Sequence, residues 1–233
     1  MIITACQLYA YRLPLTGPVL VQGGPLEHRD GLLVHLVSDT GHEGWGDIAP
    51  LPWFSRESLA EAQQQARLAC TRLEGRPVGD DPDLMASLFP SVRFGFDSAR
   101  WMLAANAHNT NPGTWLGGKS SRVRLSALLA GSTEACVEAA RQAAARAYDT
   151  FKLKVGQGTA AEQVDRIRRV AEVLPRKAYV RLDANRAWSL DTARAIARAL
   201  PDFMPLYVEE PLAEVTQLPA FQDATGWTLA LDE

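Results

Sequence analysis

The sequence predicts an α+β domain over residues 1–107, followed over residues 108–233 by an incomplete (β/α) barrel of the TIM type with about five of the eight βα units. Three observations lead there. In the first half, strand-like runs come first and helix-like runs follow. From residue 122, strand-like and helix-like runs alternate at a spacing of about 25 to 30 residues, which fits a parallel sheet or the repeating unit of a barrel. The strand-like runs of the second half also end in polar groups that an ordinary buried strand avoids.

Taken in order, residues 2–13 and 31–39 (GLLVHLVSD) read as strands. Thr40-Gly41 and His42-Glu43-Gly44 form a turn into Trp45-Gly46-Asp47, which makes an antiparallel meander. The stretch from Thr16-Gly17 to Gly24-Pro25 shows no periodicity and reads as a mobile loop. Ser55 is placed to cap a helix, SRESLAEAQQQARLACTRLEG, with acidic residues in its first turns and Gly75 as its stop. A shorter helix is expected over Asp83–Phe89 and another over Ser91–Asn106, where Phe94, Ala99, Met102 and Leu103 recur near helical spacing. By composition, His108–Gly118 (HNTNPGTWLGG) is a linker.

Beyond it, VRLSALLA precedes a helix over Thr133–Tyr148, TFKLKVG one over Ala160–Val173 and YVRLDAN one over Asp191–Leu200. PLYVEEP precedes a short helix near Gln217–Asp223, and TLALDE comes last.

With 47% hydrophobic, 22% charged and 8% aromatic residues, the chain has ample material for a core, which excludes disordered, collagen-like and disulfide-rich classes. A formal net charge of -3 supplies no basic field for a nucleic-acid partner. Cys6, Cys70 and Cys136 are odd in number, far apart and without zinc-site spacing, which fits a reduced compartment. The opening MIITACQLYAYRLPL lacks the pattern of a signal peptide, and no stretch approaches the roughly 18 apolar residues of a membrane span. A soluble cytoplasmic protein with no membrane partner is expected.

The chemistry gathers at the strand ends. Lys152 and Lys154 are two apart and share a face, as do Arg181, Asp183 and Asn185. Glu209 and Asp232 end the next two strands, while Leu153, Leu182, Val208 and Leu231 alternate with the polar set and suit the helix-packed side. The polar set then points into the barrel at the C-terminal ends of its strands, where barrel active sites lie. Asp183, Glu209 and Asp232 converging there would repel one another without a cation, and Mg²⁺ is the commonest hard ion for oxygen ligands. Lys154 is the candidate base, with Lys152 as the neighbouring charge that lowers its pKa. The coherent chemistry is proton abstraction next to a carboxylate of a small-molecule substrate. Each piece alone also fits a plain role: KxK a solvated face, a strand-end Asp a helix cap, Glu209-Glu210 a surface loop. His28, His35, His42 and His108 show no ligand spacing.

At these residues the sequence resembles the enolase superfamily: KLK at 152–154, LDAN at 182–185, VEEP at 208–211 and LDE at 231–233. RLDANRAW at 181–188, SALLAG at 126–131 and GDIAPLPWFSRESL at 46–59 are similar to the o-succinylbenzoate synthase family of menaquinone biosynthesis, although racemases and epimerases share much of that frame. The resemblance implies that the first domain caps the barrel, that Asp183, Glu209 and Asp232 bind Mg²⁺, and that Lys154 takes the α-proton with Lys152 tuning it. It further implies that Arg181 lies near a substrate carboxylate, that Asn185 and Glu233 support the site, and that loops around Gly17–Gly24 and Trp53–Ser55 close over the substrate. The implied reaction is a dehydration giving 2-succinylbenzoate. An N-acylamino acid racemase, a dipeptide epimerase or a cycloisomerase is the alternative on the same frame, and a non-catalytic truncated remnant is the alternative of another class.

The strand bearing the family's second lysine would follow Glu233, so the sequence reads as C-terminally incomplete. Five strands alone would leave VRLSALLA and TLALDE as unpaired edges, and the 233 residues by themselves are expected to be inactive and poorly soluble.

Overall fold

Two separate sheets carry the chain. The computed structural model describes residues 1–233 except 22–23, 80, 120–121 and 233. It divides into two compact units, Met1–Ser121 and Arg122–Glu233.

In the first unit, β1 (Ile3–Val21), β2 (Gly24–Ser38) and β3 (Glu43–Ile48) form an antiparallel sheet in the order β1-β2-β3. Four helices follow: α1 (Leu59–Leu73), α2 (Pro82–Ser87), α3 (Pro90–Ala107) and the single turn α4 (Pro112–Trp115). The core lies between one sheet face and the helices. Leu32, Val34, Leu36 and Ile48 meet Ala62, Ala66, Phe96, Ala99 and Leu103, all buried. α4 packs back toward α3, with the His108 and Trp115 rings 4.3 Å apart, so the division between units falls after residue 121 rather than at 107.

Three expectations are corrected here. The stretch 16–25, read as a loop, extends the β1–β2 hairpin: after a register shift, Val19 pairs with Leu26 and Leu20 with Pro25, while 22–23 lie outside the described residues. Among its described side chains Leu13 and Val19 are exposed, on a stretch whose sequence carries no period-2 signal. Ser55 is not the cap of α1; its hydroxyl accepts the Leu51 N–H at 2.9 Å. Ser58 caps the helix instead, in a reciprocal box with Glu61. Cys6 and Cys70 are paired as a disulfide joining β1 to α1, with Cα atoms 5.2 Å apart, and only Cys136 is free. The 64 residues between the partners hid that proximity, and cysteine usage no longer argues for a reducing compartment.

The close approach of α3 to β3 depends on absent side chains. Gly44 and Gly46 are buried on the helix side, and a Cβ on either would collide with the backbone carbonyl oxygen of Ala99 or Gly95. Gly95 is likewise closed by Ile48 and the Asp47 backbone. The helix starts are held by buried carboxylates. Glu57 accepts the Ser91 N–H at 3.0 Å at the start of α3, where Phe89 offers no side-chain cap. Asp81 accepts the Leu84 N–H at 2.9 Å and pairs with Arg72 at 2.7 Å and Arg76 at 3.3 Å.

The second unit alternates strictly. β4 (Ala127–Leu129), α5 (Thr133–Ala145), β5 (Thr150–Lys154), α6 (Ala160–Val173), β6 (Tyr179–Asp183), α7 (Leu190–Ala199) and β7 (Tyr207–Glu209) follow in order. A 3₁₀ turn at Val215–Gln217 leads into α8 (Leu218–Thr225) and then β8 (Leu229–Ala230). The five strands pair in parallel in sequence order, as in an incomplete TIM-type barrel. Ser132, Thr159 and Ser189 cap α5, α6 and α7. Leu129, Phe151, Leu153, Val180, Leu182 and Val208 form the buried side with Ile167, Val170, Ile196 and Phe221 from the helices. Leu231, expected among them, is exposed because β8 ends at Ala230. VRLSALLA is a strand only over its last residues, and Val123 and Leu125 are exposed. No described helix is long and apolar enough to cross a membrane.

Two outcomes are expected. Gly46→Ala forces α3 off the sheet and lowers stability by roughly 1–3 kcal/mol, read as a fall in the thermal midpoint. The Leu84 N–H and the two arginines hold the Asp81 carboxyl below the ordinary aspartate value against the opposing effect of burial. A depressed carboxyl contributes stability above its unfolded pKa and loses it as pH falls through the folded value. Asp81→Asn should therefore be less stable at pH 7 and show a flatter loss below about pH 4 in urea titrations.

Candidate active site

Parallel pairing without a register slip stacks the polar residues of the second unit into rows. Lys152 pairs with Arg181 and Arg181 with Tyr207; one step further along the same face, Lys154 pairs with Asp183 and Asp183 with Glu209. The alternation that buries Leu153, Leu182 and Val208 against the helices sends these residues to the other face.

Asp183 is the centre of the upper row, with a side chain only 1% exposed. Its Oδ2 accepts from Lys154 Nζ at 2.6 Å and lies 2.8 Å from Lys152 Nζ, while its Oδ1 accepts the Asn185 N–H at 3.1 Å. Lys152 also donates to Glu209 Oε1 at 2.5 Å, and Lys154 donates to Asn185 Oδ1 at 2.8 Å. Two ammonium groups thus balance two carboxylates. Burial pushes the Asp183 carboxyl up, but the hydrogen bonds and charges of Lys152 and Lys154 prevail and hold it below the ordinary range. Burial likewise pulls Lys152 down, and Asp183 and Glu209 more than reverse it. Lys152 is therefore a held cation, its charge shared between two carboxylates.

Asp232 stands apart from this row. The register puts Ala230 opposite Glu209, so Asp232 lies two residues, roughly 6.6 Å, further along the strand direction. It is exposed, and its N–H donates to Glu210 Oε1 at 2.9 Å. Asp183, Glu209 and Asp232 therefore do not share one row, and among the described residues no three His, Cys, Asp or Glu side chains are grouped to hold a metal. The lysines answer the repulsion between Asp183 and Glu209 that an ion was expected to resolve. The donor chemistry still suits a hard ion at two positions, since Asp183 and Glu209 are buried, offer only oxygen and already share a cation. Glu233 lies outside the described residues.

Arg181 lies with its Cζ 5.2 Å from the centre of the Tyr207 ring, and its Nε is buried without a hydrogen-bond partner among the described residues. Asn185, Arg186 and Glu210 have φ of 45°, 59° and 41°, a left-handed cluster of non-glycine residues directly after β6 and β7.

Sequence reasoning missed Gln163 and Glu210. Gln163, 2% exposed on α6, accepts from the Gly156 N–H and from Trp188 Nε1, both at 2.7 Å, and donates to the Gly158 carbonyl at 3.2 Å. It ties the loop after β5 to the loop after β6. Its signal was present: Gln163 shares the helical face of Ile167 and Val170, where a polar residue needs a partner.

Residues 3–103 match the family model described as MenC, N-terminal domain, and residues 135–233 the one described as Enolase C-terminal domain-like. The chain is 36% identical over 229 residues to an o-succinylbenzoate synthase of Edwardsiella ictaluri (strain 93-146), covering 97% of this chain and 65% of that protein. It is 34% identical over 230 residues to one of Enterobacter sp. (strain 638), covering 97% and 66%. The chain thus spans slightly less than two thirds of these relatives' length. Among solved structures, a dipeptide epimerase from Cytophaga hutchinsonii, complexed with Mg and the dipeptide D-Ala-L-Val, superposes with a TM-score of 0.86 at 25% identity, over 100% of this chain and 66% of that one. An o-succinylbenzoate synthase from Thermosynechococcus elongatus BP-1, with Mg in its active site, superposes with a TM-score of 0.70 at 28% identity, over 98% and 68%.

Gln163→Leu should keep α6 apolar yet strand two buried donors, costing about 1–3 kcal/mol for each group left unpaired. Denaturant unfolding measures that loss, and exchange of the Gly156 amide should accelerate with it.

Proposed function

The chain belongs to the enolase superfamily, and from that membership we propose that it carries the proton-abstracting half of an o-succinylbenzoate synthase site. The reaction is the loss of water from 2-succinyl-6-hydroxy-2,4-cyclohexadiene-1-carboxylate to give 2-succinylbenzoate. The observation that carries this reading is the pairing of Lys154 with Asp183 and Asn185 at the C-terminal ends of adjacent parallel strands. The match of residues 3–103 to the MenC N-terminal model supports the synthase over other members of the superfamily.

In this reading Lys154, as the neutral amine, takes the proton from the carbon next to the substrate carboxylate, and Asp183 and Asn185 aim its Nζ. The same lysine, now an ammonium, hands the proton to the departing hydroxyl, which leaves as water on the same face. Lys152 keeps its charge throughout, because Asp183 and Glu209 hold it protonated, and it offsets the negative charge that builds on the substrate. Arg181, on the row below, brings its guanidinium charge toward a carboxylate of the substrate. Asp183 and Glu209, with Asp232 from further along its strand, would hold Mg²⁺, which when bound supplies positive charge to the substrate carboxylate.

A second reading has its own observation. The epimerase fold superposes more closely than the synthase fold, with TM-scores of 0.86 and 0.70, which favours a 1,1-proton transfer on an acylamino acid or dipeptide. The two readings separate in one experiment on the intact protein carrying this chain, with Mg²⁺ present. Ultraviolet absorbance follows ring aromatisation from the cyclohexadiene acid, and NMR in D₂O follows α-deuterium uptake by dipeptides and N-succinylamino acids. Aromatisation without uptake supports the synthase; uptake alone supports the epimerase; neither defeats both.

Lys154→Ala should lower aromatisation by 10²-fold to 10⁴-fold or more, with folding and Mg²⁺ binding nearly intact. Lys152→Ala should lose less activity but more stability, since it leaves Glu209 without its ammonium partner. Near-normal turnover in the Lys154 variant removes the base assignment.

A further inference from the structure

Glu210 is a buried charged residue beyond the row of lysines and carboxylates, and the reaction as written gives it no part. It is 3% exposed. In a continuing strand its side chain would alternate to the helix-packed side opposite Glu209. The left-handed backbone at 210 breaks that alternation, and the carboxylate instead reaches the chain on both sides of β7. Oε2 accepts from Arg186 Nε at 2.8 Å in the loop after β6, and Oε1 accepts the Asp232 N–H at 2.9 Å after β8. The backbone of the same residue repeats the pattern: its carbonyl accepts the Arg186 N–H at 2.6 Å, and its N–H donates to the Ala230 carbonyl at 3.1 Å.

We propose that Glu210 is a positioning residue whose carboxylate sets the spacing of three strand ends, the ones carrying Asp183, Glu209 and Asp232. The regular ladder does not do this alone. It ends at Glu209 and Ala230, one residue before Glu210 and two before Asp232. Beyond the ladder, Glu210 ties Arg186 and Asp232 to the end of β7, and the Trp188 N–H to the Pro211 carbonyl adds a further tie. Asp232 sits further along than the Asp183–Glu209 row, so the direction in which its carboxylate is presented depends on the anchored amide beneath it. This inference rests on the reading of Asp232 as a cation ligand, and the test separates the two.

Mg²⁺ alone is titrated calorimetrically into the intact protein carrying this chain, into Glu210→Ala, Glu210→Gln and Asp232→Asn, and into the double variant Glu210→Met/Arg186→Met. The double variant fills the same volume with neither charge nor acceptor. Exchange of the Asp232 amide is measured by NMR without Mg²⁺. Loss of a residue that orients a ligand weakens metal affinity about 10-fold to 100-fold. Glu210→Ala should show that loss together with faster Asp232 exchange, and Glu210→Gln, which keeps an acceptor for the amide, should recover most of both. If Glu210→Ala does not fold, the double variant decides by the same criterion. Affinity within twofold of the parent in the folded variant overturns the proposal while the metal reading stands, provided Asp232→Asn has lost Mg²⁺. A parent that does not bind Mg²⁺, or an Asp232→Asn variant that binds it undiminished, ends the metal reading and this inference with it.

Discussion

Two carboxylates buried side by side can persist only with positive charge between them, and the second unit is organised around that requirement. Leaving an ion uncompensated in a protein interior costs several kcal/mol. Here Lys152 bridges Asp183 and Glu209, and Lys154 adds a second contact to Asp183. The geometry needs three adjacent strands in parallel register, each placing its polar residues on the face away from the helices. Those strands in turn need the apolar side formed by Leu153, Leu182 and Val208 against the helices. Charge compensation, strand register and helix packing are therefore one constraint seen at three scales.

The framework was legible because periodicity and capping are local. The 160–173 helix matches its expected bounds, and the KLK, LDAN and VEEP pieces lie at the strand ends where polar residues interrupt apolar alternation. What was not legible depends on long-range register or on chain separation. The place of Asp232 two residues beyond the Asp183–Glu209 row follows only from the pairing of Glu209 with Ala230. The Cys6–Cys70 pair spans 64 residues and leaves no local trace. The Ser58 cap is different in kind, because its signal is local: Glu61 stands three residues after Ser58, and no Glu or Gln stands three after Ser55. In the outer part of the β1–β2 hairpin the described side chains Leu13 and Val19 are exposed, and no apolar alternation announces a strand there.

The loops above the sheet show how polar residues outside the reacting row keep its members in place. Gln163 joins the loops after β5 and β6 through three hydrogen bonds, and Glu210 joins the chain after β6 to the chain after β8. Gly156, at φ 91°, lets the first of these loops approach the Ala184 carbonyl, where any Cβ would crowd it. Left-handed backbone at Asn185, Arg186 and Glu210 belongs to the same arrangement. Such conformations cost about 1–3 kcal/mol each and persist only where surrounding contacts over-determine them, as the flanking hydrogen bonds do here.

The glycines of β3 divide that strand into two surfaces with unequal freedom to vary. On the inner side, Gly44 and Gly46 face helix backbone, and no other residue type fits without separating the layers. On the outer side, Trp45 stacks on His35 with ring centres 3.9 Å apart and remains 38% exposed. Mutational drift along this strand is thereby confined to alternate positions. A population of descendants would diversify at 43, 45 and 47 while 44 and 46 stood still, and the outer face is where lineages sharing this unit would diverge in what they touch.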